Sequence, residues 1–238
     1  MPPASLTPWL TDSSAGAAYP TADALHLRPV ALVPEIQLYL AEDPTLLWAR
    51  LEASAGHRLP APFWASAWAG GQVLARYVLD NPAIVAGRRV LDIASGSGLV
   101  AIAAAQAGAA SVTANDIDPY ASVAIEANAQ ANGVRLECVT DDLLDGTGAG
   151  ADVILAGDGL YEETLATRVL AFLTRAAARG AQVWAGDPGR GHAGGALLER
   201  VAVYDQSALG SPEDHQRSES AVYRVRRAAP PDPRRAES

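Results

Sequence analysis

Apolar residues recur along most of the chain with one of two periods, and the changes of period mark out its elements. Neither period holds over residues 1–30, where proline, alanine, serine and threonine dominate; a loose N-terminal arm is expected there. From Pro34 onward Ile36, Leu38, Tyr39, Leu40, Leu46, Leu47 and Leu51 are read as a helical stripe, broken by the Gly56–Pro62 stretch. Phe63–Leu79 then reads as a further helix with a glycine pair, Gly70-Gly71, near its start, so residues 31–80 are expected to be a helical extension. Beyond it, strand and helix alternate. Arg89–Ile93, Ser111–Asn115, Arg135–Val139, Ala151–Ala156 and Gln182–Ala185 have strand character, and Ser97–Ala107, Pro119–Ala131 and Glu162–Ala178 are helical. Proline opens the second of these helices, at the turn where a missing N–H costs nothing. Val201–Asp205 and Ala221–Arg226 are two further strand-like segments joined by a loop, and residues 228–238, proline-rich and charged, are an expected disordered tail. This order predicts an α/β architecture over residues 81–227: a seven-stranded, mostly parallel, Rossmann-like sheet with helices on both faces and a terminal antiparallel hairpin.

Composition narrows the chemistry. With 49% apolar and 19% charged residues, a chain of 238 residues can bury a sizeable core. Cys138 is the single cysteine, so no internal disulfide forms and a reducing compartment is expected, with Cys138 as buried filler. All 18 basic residues are arginine. A chain without lysine forms no Schiff base with a carbonyl cofactor and has no Walker-type phosphate-binding lysine. The net charge of −9 gives no footprint for a nucleic-acid backbone, so a basic protein surface or a small cation is the more natural partner. No apolar run is long enough to span a bilayer, and no secretory signal pattern opens the chain. A soluble, cytoplasmic monomer without a metal site is the expectation; the histidines have no metal-ligand spacing.

The sharpest signal is Val90-Leu91-Asp92-Ile93-Ala94-Ser95-Gly96-Ser97-Gly98-Leu99-Val100, a strand running into a glycine-bearing turn and then a helix. Glycines at such a turn let backbone approach a ligand closely. Ala94, Gly96 and Gly98 occupy the triplet, with alanine in the first glycine's place. Asp92, just inside the turn, would repel a pyrophosphate but suits the ammonium of a methionine moiety. A second acid, Asp116, ends the next strand and is placed to accept both hydroxyls of a ribose, with Ile117 beside it. The third strand ends at Asp141-Asp142, where a carboxylate can accept from an adenine amino group; Asp142 is preferred, and a solvated loop or helix cap is an equal alternative. The combination points to S-adenosylmethionine.

The runs Val33-Pro34-Glu35-Ile36-Gln37-Leu38, Pro62-Phe63-Trp64-Ala65-Ser66-Ala67-Trp68-Ala69-Gly70-Gly71-Gln72 and Asp80-Asn81-Pro82 resemble the electron transfer flavoprotein β-subunit lysine methyltransferases. So do Asn115-Asp116-Ile117-Asp118-Pro119, Gly157-Asp158-Gly159-Leu160-Tyr161 and Gly186-Asp187-Pro188-Gly189-Arg190, in matching order from about Leu32 to Tyr223. The resemblance implies a class I methyltransferase fold that binds S-adenosylmethionine over residues 81–227 and methylates lysine on the flavoprotein β-subunit. Asp158 and Tyr161 match the acid-x-x-aromatic motif of related protein methyltransferases and are the implied catalytic pair, although Leu160 stands where an aromatic residue is usual. Gly157 and Trp68 are implied cofactor contacts, and Trp64, Asp187 and Arg190 implied substrate contacts. Two tryptophans four apart can equally be plain core packing, and Arg190 a local salt bridge. Other acceptors, such as a nicotinamide-like amine or ribosomal protein L11, and a non-catalytic cofactor-binding module, remain the competing readings.

Overall fold

The computed structural model describes residues 10–11, 24–191, 197–205 and 219–226. Three N-terminal strands, β1 (Leu10–Thr11), β2 (Leu25–Pro29) and β3 (Gln37–Ala41), form a small sheet in the order β1-β2-β3. The helix α1 (Pro44–Ala55) follows, then a 3-10 turn at Phe63–Ala65 and α2 (Ala69–Asp80). The main sheet is built from β4 (Arg89–Ile93), β5 (Ser111–Asn115), β6 (Glu137–Val139), β7 (Val153–Ala156), β8 (Gln182–Asp187), β9 (Leu198–Asp205) and β10 (Glu219–Val225). Between these strands lie α3 (Leu99–Gln106), α4 (Pro119–Ala131) and α5 (Glu163–Ala178).

The main sheet has the order β6-β5-β4-β7-β8-β10-β9. β4 to β8 are parallel, and β10 lies antiparallel between β8 and β9. This is the expected seven-stranded class I methyltransferase arrangement with its terminal hairpin. The order reverses at β4, with β5 on one side and β7 on the other, so a crevice opens at the carboxyl ends of these strands. Both sheet faces are covered. Val90, Val112, Val153 and Leu155 pack with α2 and α3, while Leu91, Ile93, Ile154 and Ala156 face α5. Because α3 is enclosed, its residues from Leu99 to Ala104 are all buried and it carries no polar stripe.

Two expectations for the N-terminal region fail. The supposed arm over residues 1–30 contains the strand β2; residues 1–9 and 12–23, like the tail at 227–238, lie outside the described residues. The first part of the helical stripe proposed from Ile36 is instead the strand β3, where Leu38 is fully buried two residues after the equally buried Ile36 that precedes the strand. Helix begins only at α1, where Asp43 accepts from the backbone of Thr45 and Leu46 and Pro44 takes the first turn. The strand is secured from a distance. Asn132 accepts from Gln37 N and donates to Gln37 O, at 2.9 and 2.6 Å, and Asn128 accepts from Tyr39 N at 2.7 Å.

The single helix expected over Phe63–Leu79 is also divided. Ser66 and Trp68 are extended (ψ 149° and 146°), which separates the 3-10 turn from α2 and takes Trp64 and Trp68 off a common helical face. The glycine pair then has a clear use. A Cβ on Gly70 would lie 2.6 Å from Gly186 O in β8, and one on Gly157 would lie 3.0 Å from Gly71 Cα. The start of α2 thus rests directly on the ends of β7 and β8.

Asn128 is fully buried and also donates to Ser97 O at 2.8 Å. Asn128→Ala would strand the Tyr39 N–H and the Ser97 carbonyl in the interior. A loss of about 2 kcal/mol or more is expected, read as a lower urea midpoint at unchanged slope; an unaltered midpoint would contradict this account of how β3 is held.

Candidate active site

The crevice is a cleft of about 680 Å³, within the usual size of small-ligand sites. Its floor is the turn after β4. Ala94, Gly96 and Gly98 have φ values of 52°, 53° and 82°, so alanine adopts the left-handed conformation in the triplet's first position. Ala94 and Gly96 line the cleft. Gly98 does not; a Cβ there would sit 3.3 Å from Ile125 of α4, so its part is helix packing.

Asp92 is almost completely buried at 1% exposure. Its Oδ2 accepts from Ser95 Oγ at 2.5 Å and from Ala101 N at 3.1 Å, while Oδ1 is buried without a protein donor. Burial pushes this carboxyl up to about 7, against the two hydrogen bonds. Asp116 lies across the turn. Its Oδ2 accepts from Gly96 N at 2.8 Å and its Oδ1 from Asp118 N at 3.0 Å, and burial raises it as well. Each oxygen keeps a second lone pair. Ile117, beside it, is 69% exposed and lines the cleft wall. Asp142 also reaches the cleft, accepting from Leu144 N at 3.1 Å and pairing with Arg168 at 2.9 Å, which holds it below its ordinary value. Asp141 instead gives its backbone carbonyl to Asn115.

The opposite end of the cleft is aromatic. Trp68 Nε1 donates to Phe63 O at 2.8 Å, and the Phe63 ring lies edge-on to Trp68 at 5.7 Å and tilted against Tyr161 at 5.4 Å. Phe63 is a wall residue that the sequence reading passed over; its place inside Pro62-Phe63-Trp64 was the available signal. Ser95 and Arg168 were likewise missed, because their partners Asp92 and Asp142 identify them only in three dimensions. Trp64 lines the cleft and is buried, and its indole lies near enough to Asp118, the N-cap of α4, to lower that carboxyl against the effect of burial. Leu160, where an aromatic was usual, is core beneath α5 and does not reach the cleft.

Asp158 stands among these rings, between Gly157 and Gly159, with φ 143°, a conformation rare for any residue with a side chain. Its Oδ2 accepts from Gly70 N at the start of α2, at 2.9 Å, and its Oδ1 from Arg190 Nη1 at 2.5 Å. Asp187 is fully buried and lies outside the cleft lining. It accepts from Gly189 N at 2.7 Å and Arg190 N at 3.2 Å, so it shapes the turn that presents Arg190. Cys138 lies elsewhere, its thiol pushed by burial up to about 11, far from a nucleophile's range. Among the described residues no metal-ligating cluster is found, and no helix is long and apolar enough to cross a membrane.

Similarity to known proteins follows this geometry. The family described as ribosomal protein L11 methyltransferase (PrmA) matches residues 74–162, from α2 to just past β7. The electron transfer flavoprotein beta subunit lysine methyltransferase of Danio rerio is 41% identical over 82% of this chain and 77% of its own. The Homo sapiens protein of that name is 38% identical over 81% of this chain and 75% of its own. Among solved structures, ribosomal protein L11 methylase from Lactobacillus delbrueckii subsp. bulgaricus overlaps at a TM-score of 0.46 and 22% identity, over 66% of this chain and 78% of that one.

The buried Asp92 carries a consequence for stability. An unfolded aspartate releases its proton near pH 4, whereas folded Asp92 holds it to about 7. The folded state binds the extra proton between these values, so the ligand-free protein loses stability as pH rises from about 4 through 7. Asp92→Asn is expected to flatten this slope and add roughly 3 kcal/mol at pH 8, with Asp116 and Asp118, raised in the same direction, leaving a residual slope. Thermal melts from pH 5 to 8 test it; parallel curves for the two proteins would refute the assignment.

Proposed function

The chain belongs to the electron transfer flavoprotein β-subunit lysine methyltransferase family, and from that premise we propose that it transfers methyl groups from S-adenosylmethionine to lysine side chains of that flavoprotein subunit. It is a methyltransferase that uses S-adenosylmethionine. The L11 methyltransferase match ends at residue 162, before β8 and Arg190, and so supports the cofactor half without its acceptor. The observation that carries the lysine reading is that the Asp158 carboxylate lines the cleft together with the packed Trp68, Phe63 and Tyr161 rings. A carboxylate beside aromatic faces suits a cationic amine.

The cleft fits the cofactor. The unpartnered Asp92 Oδ1 is an acceptor for the methionyl ammonium, Asp116 for the ribose hydroxyls and Asp142 for the adenine amino group, with Ile117 covering the base. Ala94, Gly96 and Gly157 keep the floor low enough for close approach. The chemistry the cofactor supplies when bound is a methyl carbon made electrophilic by its sulfonium. The protein's share is alignment and exclusion of water. Asp158, held by Gly70 N–H at the positive end of α2, orients the incoming amine, and Trp68 and Tyr161 wall its path. A lysine arrives protonated, and a carboxylate beside it strengthens its hold on the proton, so loss to water is assigned ahead of base catalysis by Asp158. The site of action is the reducing cytoplasm, in keeping with the lone, unreactive Cys138.

Asp116→Ala is expected to weaken S-adenosylmethionine binding about tenfold or more through loss of a buried acceptor, measured by calorimetry; unchanged affinity would remove the ribose role. Mass spectrometry of the flavoprotein β-subunit after incubation with enzyme and cofactor should show added methyl groups on lysine. With Asp158→Ala that product should fall about 100-fold or more while cofactor affinity stays within a few-fold. An unmodified subunit alongside methylated small amines would overturn the proposed acceptor.

A further inference from the structure

At the mouth of the cleft the seat suited to a substrate cation is already filled by the chain itself. The Arg190 guanidinium bonds Asp158 Oδ1 at 2.5 Å, and its central carbon lies 5.7 Å from the centre of the Trp68 ring. The two charged side chains are only 15% and 10% exposed, so the pair is nearly dry. A carboxylate on one side and an indole face on the other are the surroundings that the proposed function assigns to the lysine ammonium. We propose that Arg190 is an intramolecular occupant of the acceptor seat, which an incoming lysine must displace, and that it thereby selects amines presented by a folded protein over small free amines. This rests on the methyltransferase reading above.

Electrostatics favours exchange over addition. Asp158 Oδ2 is committed to Gly70 N and Oδ1 to Arg190. An ammonium entering beside the guanidinium would put two cations against one carboxylate in a poorly solvated pocket, whereas replacing it leaves the charge balanced. Arginine suits the part because it stays protonated and so holds the seat without becoming an acceptor. The backbone is built for such a swap. Arg190 stands between Gly189 and Gly191, at φ 80° and 90°, while its own N–H is tethered to Asp187, so the turn stays in place as the long side chain moves. A protein acceptor can draw on contacts remote from its lysine to drive the exchange, and a free amine cannot. If the seat is open in only 1–10% of molecules, the apparent affinity of a free amine, which has no remote contacts to offset the cost, is lowered about 10- to 100-fold.

The test compares the wild-type protein with Arg190→Ala and the near-isosteric, uncharged Arg190→Gln, which serves if the alanine variant does not fold. Acceptors are the flavoprotein β-subunit and Nα-acetyl-lysine methylamide. Removing the guanidinium should lower KM for the small amine about tenfold or more, with S-adenosylmethionine affinity unmoved in calorimetry. Methylguanidine should refill the vacated seat, competing with the small amine and raising the variant's Tm, with neither effect on the wild-type protein at the same concentration. A small-amine KM that stays or rises while kcat collapses would overturn the proposal and make Arg190 a fixed brace for Asp158. The Tm response to methylguanidine needs no turnover. Together with competition against the small amine, which a brace would not show, it decides the seat even if the flavoprotein is not methylated, an outcome that would instead sink the acceptor assignment.

Discussion

The contact on which the site depends is backbone against backbone. Gly70 lies on Gly186 and Gly71 on Gly157, bringing the first turn of α2 onto the ends of β7 and β8 with no side chain between them. That closeness lets Gly70 N–H reach the Asp158 carboxylate, which is held in turn by a backbone conformation few residues adopt. A methyl group on Gly70, Gly186 or Gly157 would lift the helix and withdraw the donor. The orientation of the acid at the mouth of the cleft is therefore a property of sheet–helix packing, and the strain at Asp158 is offset by the contacts around it.

The acids at the strand ends share a location but not a state. Asp92 and Asp116 are drawn upward by burial, Asp92 holding the Ala101 N–H and the Ser95 hydroxyl and Asp116 two backbone N–H groups in place of counter-ions. Asp142, at the open end, is drawn downward by Arg168. Asp158 has a buried arginine partner and Asp187 a turn to hold together. The carboxylates lining the cleft thus range from Asp92, which has no cationic partner, to Asp142 and Asp158, each paired with an arginine.

The N-terminal region also acts at a distance. The β2–β3 pair is joined to α4 through Asn128 and Asn132, and α4 carries at its cap Asp118, beside Trp64. What reads in the chain as an appendage is tied by these amides to the helix that follows the Asp116 strand, and so to one wall of the cleft.

The alternation of strands and helices from Arg89 onward, the glycine-bearing turn and the acids at the strand ends were all legible in the chain, because each is set by local periodicity or by a turn that only certain residues can make. The aromatic and acidic motifs carried the family likeness for the same reason. The strand β3 and the membership of Phe63 and Arg168 in the cleft were not legible, since each depends on a partner far away in sequence: Asn128, Tyr161 and Asp142 respectively. Tertiary structure alone also separated Gly98 and Asp187, which support the site, from Gly96 and Asp158, which face it. Sequence records which groups a chain owns; only packing decides which of them lose their water and whom they then meet.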